Sequence, residues 1–114
     1  LNYNAIIVDE AQFASPEQID LFSDIVDIWQ IPVLCYGLRA DFQNKFFPGS
    51  RRLMEIADEI KEIKTICWCG KKATCNARYD DNGIIKEGAQ VVLGANDKYI
   101  ALCRKHFKEG NLGK

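Results

Sequence analysis

Four side chains able to bind a soft metal stand in two tight pairs, Cys67-Trp68-Cys69 and Cys103-Arg104-Lys105-His106. Three thiolates and one imidazole make a complete tetrahedral set for zinc, which favours soft and borderline ligands of this kind. A complete set leaves no position for water or substrate, so a zinc ion held by Cys67, Cys69, Cys103 and His106 is expected to be structural. Gly70, directly after the first pair, lets main-chain amides approach the sulfurs. The alternative is a set of reduced core cysteines, and two tight pairs that include the only histidine weigh against it. Cys35 and Cys75 stand apart and read as plain small residues.

A second constellation lies near the start of the chain. In "AIIVDEAQF", residues 5–13, a short apolar run ends on Asp9 and Glu10. A strand that delivers two carboxylates resembles a Walker B element, in which the first helps hold Mg²⁺ and the second takes a proton from a nucleophile. Solvated acids at a strand end are also common, so the motif alone leaves both readings open.

These residues need elements to hold them. "AIIV" has the continuous β-branched character of a strand buried on both faces of a parallel sheet. "SPEQIDLFSDIVDIW" predicts a helix with Ser15 as N-cap, Pro16 in the first helical position and Glu17 in the first turn. Ile19, Phe22, Ile25, Val26 and Trp29 form its apolar side, with Asp20, Asp24 and Asp27 opposite. "IPVLCY" predicts a second buried strand, parallel to the first through a right-handed crossover. Ligands of such sheets bind beyond the carboxyl ends of the strands, where Asp9, Glu10 and "GLRADF" lie. "FQNKFFPGS" predicts a loop with its rings turned inward and "RRLMEIADEI" a short helix. From Ile60 onward, alternation in "EIKEIKTICW", "KATCNARYD" and "AQVVLG", with the turn "DDNG", predicts a small β-rich unit. The expected division is 1–59 for the α/β part and 60–114 for the zinc-binding part.

The composition narrows the function further. The chain has 114 residues, 47% of them hydrophobic, and a net charge of -1, so it lacks the positive excess of a general nucleic-acid or anionic-membrane binder. No apolar run reaches the roughly 20 residues needed to span a bilayer. Five cysteines at uneven spacing fit a reducing cytoplasm better than a secreted disulfide scaffold. The chain starts on Leu1 and enters a strand within a few residues, so it is expected to be the later part of a longer protein.

"DEAQF", "YGLRADFQNKFFPGS", "KTICWCGKKAT" and "EGAQVVLGANDKYIALCRKHF", taken in order, closely resemble the type II thymidine kinases in their bacterial form, from about Asn4 to about Phe107. The resemblance implies a P-loop (RecA-like) α/β sheet followed by a small zinc-containing lasso domain. It implies transfer of the ATP γ-phosphate, with Mg²⁺, to the 5′-hydroxyl of thymidine or deoxyuridine. Glu10 matches the catalytic base, Asp9 the carboxylate on the Mg²⁺ side, and Gln12 a second cofactor-binding position that also lines the nucleoside pocket. Phe13, Leu38 and Phe42 match other pocket positions. A loop termed the lasso, between about Tyr79 and Tyr99, closes on the nucleoside in that family. Asn76, Gln90, Val91, Val92, Leu93, Gly94 and Tyr99 match its substrate contacts. A homotetramer and feedback inhibition by dTTP are further implications of the resemblance.

No G-x-x-x-x-G-K-[ST] phosphate loop occurs in these 114 residues, so the chain by itself is not expected to hold ATP in the usual way. That gap keeps a rival reading alive, a non-catalytic binding module stapled by zinc. Nucleic-acid binding through "CRKHFK" is weaker still, because three basic residues beside a zinc ligand read as a solvated face. Arg39 and Asp41 carry no role legible at this level.

Overall fold

A computed structural model of the chain describes residues 4–91 and 98–114. Val92, Leu93 and Gly94 of the expected substrate loop lie outside the described residues. The chain divides into two units, Leu1–Arg39 with Phe46–Ile60, and Ala40–Lys45 with Lys61–Lys114.

In the first unit, strands β1 (Ile6–Val8) and β2 (Val33–Cys35) pair in parallel, with Ile6 opposite Val33 and Val8 opposite Cys35. This is the pairing the crossover rule requires. Burial on both faces does not follow: Ile7 is 68% exposed and Leu34 40%, while Ile6, Val8, Val33 and Cys35 are half-buried. Side chains alternate across a strand, and among the described residues no layer covers the Ile7 and Leu34 face. The pair is a small parallel α/β fragment rather than a complete P-loop sheet.

Helix α1 (Pro16–Trp29) starts as its sequence dictates, with the Ser15 hydroxyl accepting from Gln18 N at 3.1 Å. The Gln18 side chain accepts in return from Ser15 N at 2.9 Å, completing a capping box. Ile19 is 1% exposed and anchors the apolar side. Trp29 is instead 59% exposed, because the helix ends there and the chain turns away through Gln30 at φ 55°. Helix α2 (Pro48–Ile56) begins earlier than the composition of its first turn indicated. Pro48 occupies a first-turn position, where its missing N–H costs nothing, and Gly49 lies inside the helix. A Cβ on Gly49 would collide with Ala14 O and lie 3.0 Å from Gln12 O, so glycine lets α2 press onto the backbone of the 3-10 turn Ala11–Phe13. Phe47 turns inward and meets Phe13 edge-on at 5.7 Å, whereas Phe46 is 48% exposed. Arg52 Nε donates to Asp20 at 2.7 Å between α2 and α1, and that bond, followed by the one to Glu55, raises the Arg52 pKa.

The second unit begins with a hairpin of β3 (Thr65–Ile66) and β4 (Lys72–Ala73). A three-stranded antiparallel sheet follows, with β5 (Cys75–Asp80) between β6 (Gly83–Ile85) and β7 (Lys98–Leu102). Helix α3 (Arg104–Glu109) closes the unit. The "DDNG" turn forms as expected, with Asp80 opposite Gly83 and φ 112° at the glycine. Cys67, Cys75, Ala77, Leu102, Cys103 and Phe107 are its buried core. The alternating stretch from Ile60 yields only β3, and Ile60 and Ile63 stay 57% and 73% exposed, since no described strand lies beside them. Residues 89–91 are likewise not in a strand. Among the described residues no helix is long and apolar enough to cross a membrane.

Candidate active site and metal centre

The hydrogen bonds of the parallel pair continue past its ends. Tyr36 N donates to Val8 O and Ala11 N donates to Tyr36 O, each at 2.9 Å. Asp9 and Glu10 are extruded between these two bonds, so both carboxylates leave the sheet at its carboxyl end. Glu10 N donates to Asp9 Oδ1 at 2.9 Å, and Glu10 adopts φ 52°, ψ 42°. A left-handed glutamate costs on the order of 1 kcal/mol, and such residues persist where the surroundings fix them.

Gln12 is what fixes it. Its side chain is 2% exposed, and Nε2 donates to Glu10 Oε2 at 2.6 Å while Oε1 accepts from Leu38 N at 3.1 Å. One amide therefore orients the Glu10 carboxylate and ties it to the segment following β2. Gly37 keeps room for that amide: a Cβ there would collide with Gln12 Oε1 and lie 3.1 Å from Ala11 N. Ser50 Oγ donates to Leu38 O, fixing the other side of the same segment. Phe13 and Leu38 are 56% and 41% exposed, so neither is spent in the core. Burial pushes the thiol of Cys35, on β2, above its usual pKa.

The two cysteine-containing pairs meet in the second unit. Cys67 and Cys69 lie on the tip of the β3–β4 hairpin, whose turn closes through Gly70 N to Cys67 O at 2.9 Å with φ 90° at Gly70. Cys103 caps α3, and His106 follows one turn later on the same side. The four ligand atoms lie within 4.8 Å of one another. Cys67 Sγ and Cys103 Sγ stand 3.8 and 3.4 Å from His106 Nδ1, and Cys69 Sγ stands 3.9 Å from Cys103 Sγ. Zn–S bonds of about 2.3 Å place two sulfurs of a tetrahedron about 3.8 Å apart, so the spacing and chemistry of the set fit a tetrahedral metal. Burial opposes the Cys67 thiolate, yet the main-chain amides of Cys69 and Cys103 and the His106 ring bring its pKa down to about 6. At Cys69 the Lys71 amide favours the thiolate, but burial and the neighbouring thiols of Cys67 and Cys103 push the pKa up. Trp68 stacks on the His106 ring at 4.4 Å and donates to Asn111 O at 3.1 Å, bracing the imidazole from outside.

The other expected ligand-contact residues of this unit gather near Arg78. Asn76 is half-buried on β5, opposite Ala101. Tyr99 is 47% exposed on β7, opposite Arg78, and its hydroxyl accepts from Arg78 Nε at 3.0 Å. Phe42 is 1% exposed, with the Arg78 guanidinium 3.8 Å above its ring. Gln90 donates to Asp41 Oδ2 at 2.8 Å, and Val91 is 46% exposed. Sequence reasoning missed Arg78, Asp41 and the clamp made by Gln12. An arginine in an alternating strand gives no signal that it is buried, whereas Gly37, directly after a strand, is a signal of close backbone approach.

A sequence model of the family described as "Thymidine kinase" matches residues 1–107. The chain is 51% identical over 113 residues to a thymidine kinase of Legionella pneumophila (strain Lens), covering 98% of this chain and 54% of that protein. A thymidine kinase of Haemophilus influenzae (strain ATCC 51907 / DSM 11121 / KW20 / Rd) is 53% identical over 107 residues, covering 93% and 55%. One of Ruegeria pomeroyi (strain ATCC 700808 / DSM 15171 / DSS-3) is 55% identical over 105 residues, covering 91% and 53%. The chain thus spans about half the length of the curated relatives it matches.

Proposed function

The chain belongs to the thymidine kinase family, and we propose that it is the C-terminal part of an enzyme that transfers the γ-phosphate of ATP to the 5′-hydroxyl of thymidine or deoxyuridine. The observation that carries this reading is Glu10, held left-handed at a strand end with its carboxylate oriented by Gln12. A carboxylate fixed in this way is suited to accept the proton of the 5′-hydroxyl as that oxygen bonds to the γ-phosphorus and ADP departs with the electron pair of the broken bond. Asp9, one residue before it, serves the Mg²⁺ side of the nucleotide. The phosphate cradle is not among these 114 residues, so beyond Asp9 no role on the ATP side is assigned to them.

Phe13 and Leu38, both exposed beside the acid pair, offer apolar surface to the base, and Gln12 acts through Glu10 as a positioning residue. Asn76, Gln90, Val91, Val92, Leu93, Gly94 and Tyr99 form the substrate loop and its base, with Phe42 backing it from the interior. The Cys67, Cys69, Cys103 and His106 set holds a structural zinc, supported by its tetrahedral spacing; when bound, the metal cross-links the hairpin tip to α3. A cytoplasmic homotetramer regulated by dTTP completes the proposal. Glu10→Gln in the full-length protein tests it: turnover should fall by about 10²–10⁴-fold with the melting transition unchanged. Retained turnover would remove Glu10 from its role as base. Failure of the unaltered protein to phosphorylate thymidine would favour a zinc-stapled binding module instead.

A further inference from the structure

Arg78 is 2% exposed in the middle of β5, and a buried guanidinium is stable only when its donors are matched. Its ring-facing side rests on Phe42 at 3.8 Å. Nε donates to Tyr99 Oη at 3.0 Å, Nη1 to Ala89 O at 2.8 Å and Nη2 to Gln90 O at 3.1 Å. Two of these bonds go to consecutive main-chain carbonyls, in residues 89 and 90, which are outside regular secondary structure.

The same segment is held from a second direction. Gln90 Nε2 donates to Asp41 Oδ2 at 2.8 Å, and Asp41, 4% exposed, also accepts on Oδ1 from Gln43 N at 2.8 Å and Lys45 N at 3.0 Å. Gln43 Nε2 reaches back to Lys86 O at 2.7 Å. Gly88 adopts φ 133° where the chain passes the guanidinium, and a Cβ there would sit 3.5 Å from Nη1. Residues 86–90 are therefore tied at four points to Arg78 and the 41–45 segment, all within one unit.

We propose that Arg78, seated on Phe42 and linked through Gln90 to Asp41, is a positioning residue that sets the main-chain conformation at residues 89–91 for nucleoside binding. This rests on the reading of that loop as the substrate loop. In a planar trans peptide each N–H points opposite to its C=O. With the carbonyls of Ala89 and Gln90 turned toward Arg78, the amides of Gln90 and Val91 are turned away from it. The rigid fork of arginine can hold two carbonyls and a hydroxyl at once, whereas a lysine ammonium is a point charge on a flexible stem. Lysine should therefore keep the charge and lose the function.

The test uses the full-length protein with Arg78→Lys, Arg78→Met and Gln90→Leu, reading the KM for thymidine, the KM for ATP, zinc content and amide exchange at residues 86–91. Both Arg78 variants should raise the thymidine KM on the order of tenfold, with the ATP KM and zinc content unchanged and exchange faster only at 86–91. Gln90→Leu leaves the guanidinium in place and should give a smaller rise with faster exchange at the same amides. A thymidine KM within about twofold of the original in Arg78→Lys, or a rise shared equally by ATP, overturns the proposal. If the Arg78 variants lose zinc or fail to fold, Gln90→Leu decides, and unchanged KM and exchange in it overturn the proposal. If the unaltered protein does not phosphorylate thymidine, the functional reading fails separately. Exchange then judges the anchoring alone, with unchanged protection in Arg78→Lys refuting it.

Discussion

Removing the zinc proposed for Cys67, Cys69, Cys103 and His106 should unfold the second unit and leave the first in place. The buried cluster around the ligands contains six of the described residues, two of them Cys67 and Cys103, with Leu102 and Phe107 as its large apolar members, and Phe42 is buried apart from it beneath Arg78. Burying one leucine and two phenylalanines contributes about 4.5–9 kcal/mol together. Ordering the backbone of β5, β6 and β7 alone costs about 1–2 kcal/mol per residue. A structural zinc contributes about 10–16 kcal/mol in small domains, so it is the largest single contribution available here. Treatment of the full-length protein with a strong chelator should abolish amide protection across β5 and β7 while α1 and β1 keep theirs. Trp68 reports the event directly, because it stacks on His106 at 4.4 Å, and Trp68→Phe should erase the accompanying fluorescence change. Cys67→Ser should reproduce the chelated state, and cobalt should restore protection and give a thiolate charge-transfer band. Full protection of β5 and β7 in metal-free protein would refute the reasoning, since the small core would then suffice.

Other substitutions test the acid tip and its support. Gln12→Leu removes the partner of the Leu38 amide and of the Glu10 carboxylate, so it should destabilise by about 1–3 kcal/mol in urea unfolding and lower kcat. Gly37→Ala should do similar damage, because its Cβ displaces Gln12 Oε1, and a crystal structure of the variant should show that amide moved. Ile19→Ala, at 1% exposure under α1, should cost about 2–5 kcal/mol by thermal unfolding. Ser15→Ala breaks the capping box and should cost about 1 kcal/mol, with Thr at the same position restoring most of it.

Local signals were legible where the chemistry is local. Ser15, Pro16 and the apolar stripe behind them fix α1, and the turn residues 80–83 fix the β5–β6 hairpin, because capping and turn formation depend on a few neighbouring residues. The Cys and His spacing was legible for the same reason: two pairs can be recognised before their meeting place is known. What escaped was set by distant partners. Pro48 and Gly49 read as loop punctuation, yet they open α2 because the 3-10 turn offers a backbone surface only a glycine can approach. Arg78 read as one polar position in an alternating strand, and its burial depends on Phe42, Ala89, Gln90 and Tyr99, none of them neighbours in sequence.

The two units place their candidate functional groups by the same physical means. At the acid tip, a side-chain amide of Gln12, buried and satisfied on both ends, fixes a carboxylate that the backbone alone would hold in a strained conformation. Around residues 89–91, the side chains of Arg78 and Asp41, buried and bonded to more than one group each, fix a segment that forms no ladder of its own. In both cases a polar side chain is removed from water only because its hydrogen bonds are completed by the element it positions, so loss of either partner exposes the cost of burying the other. Function in this chain should therefore be sensitive to Gln12, Gly37, Asp41 and Arg78, which break and form no bond themselves but hold the groups proposed to act on the substrate.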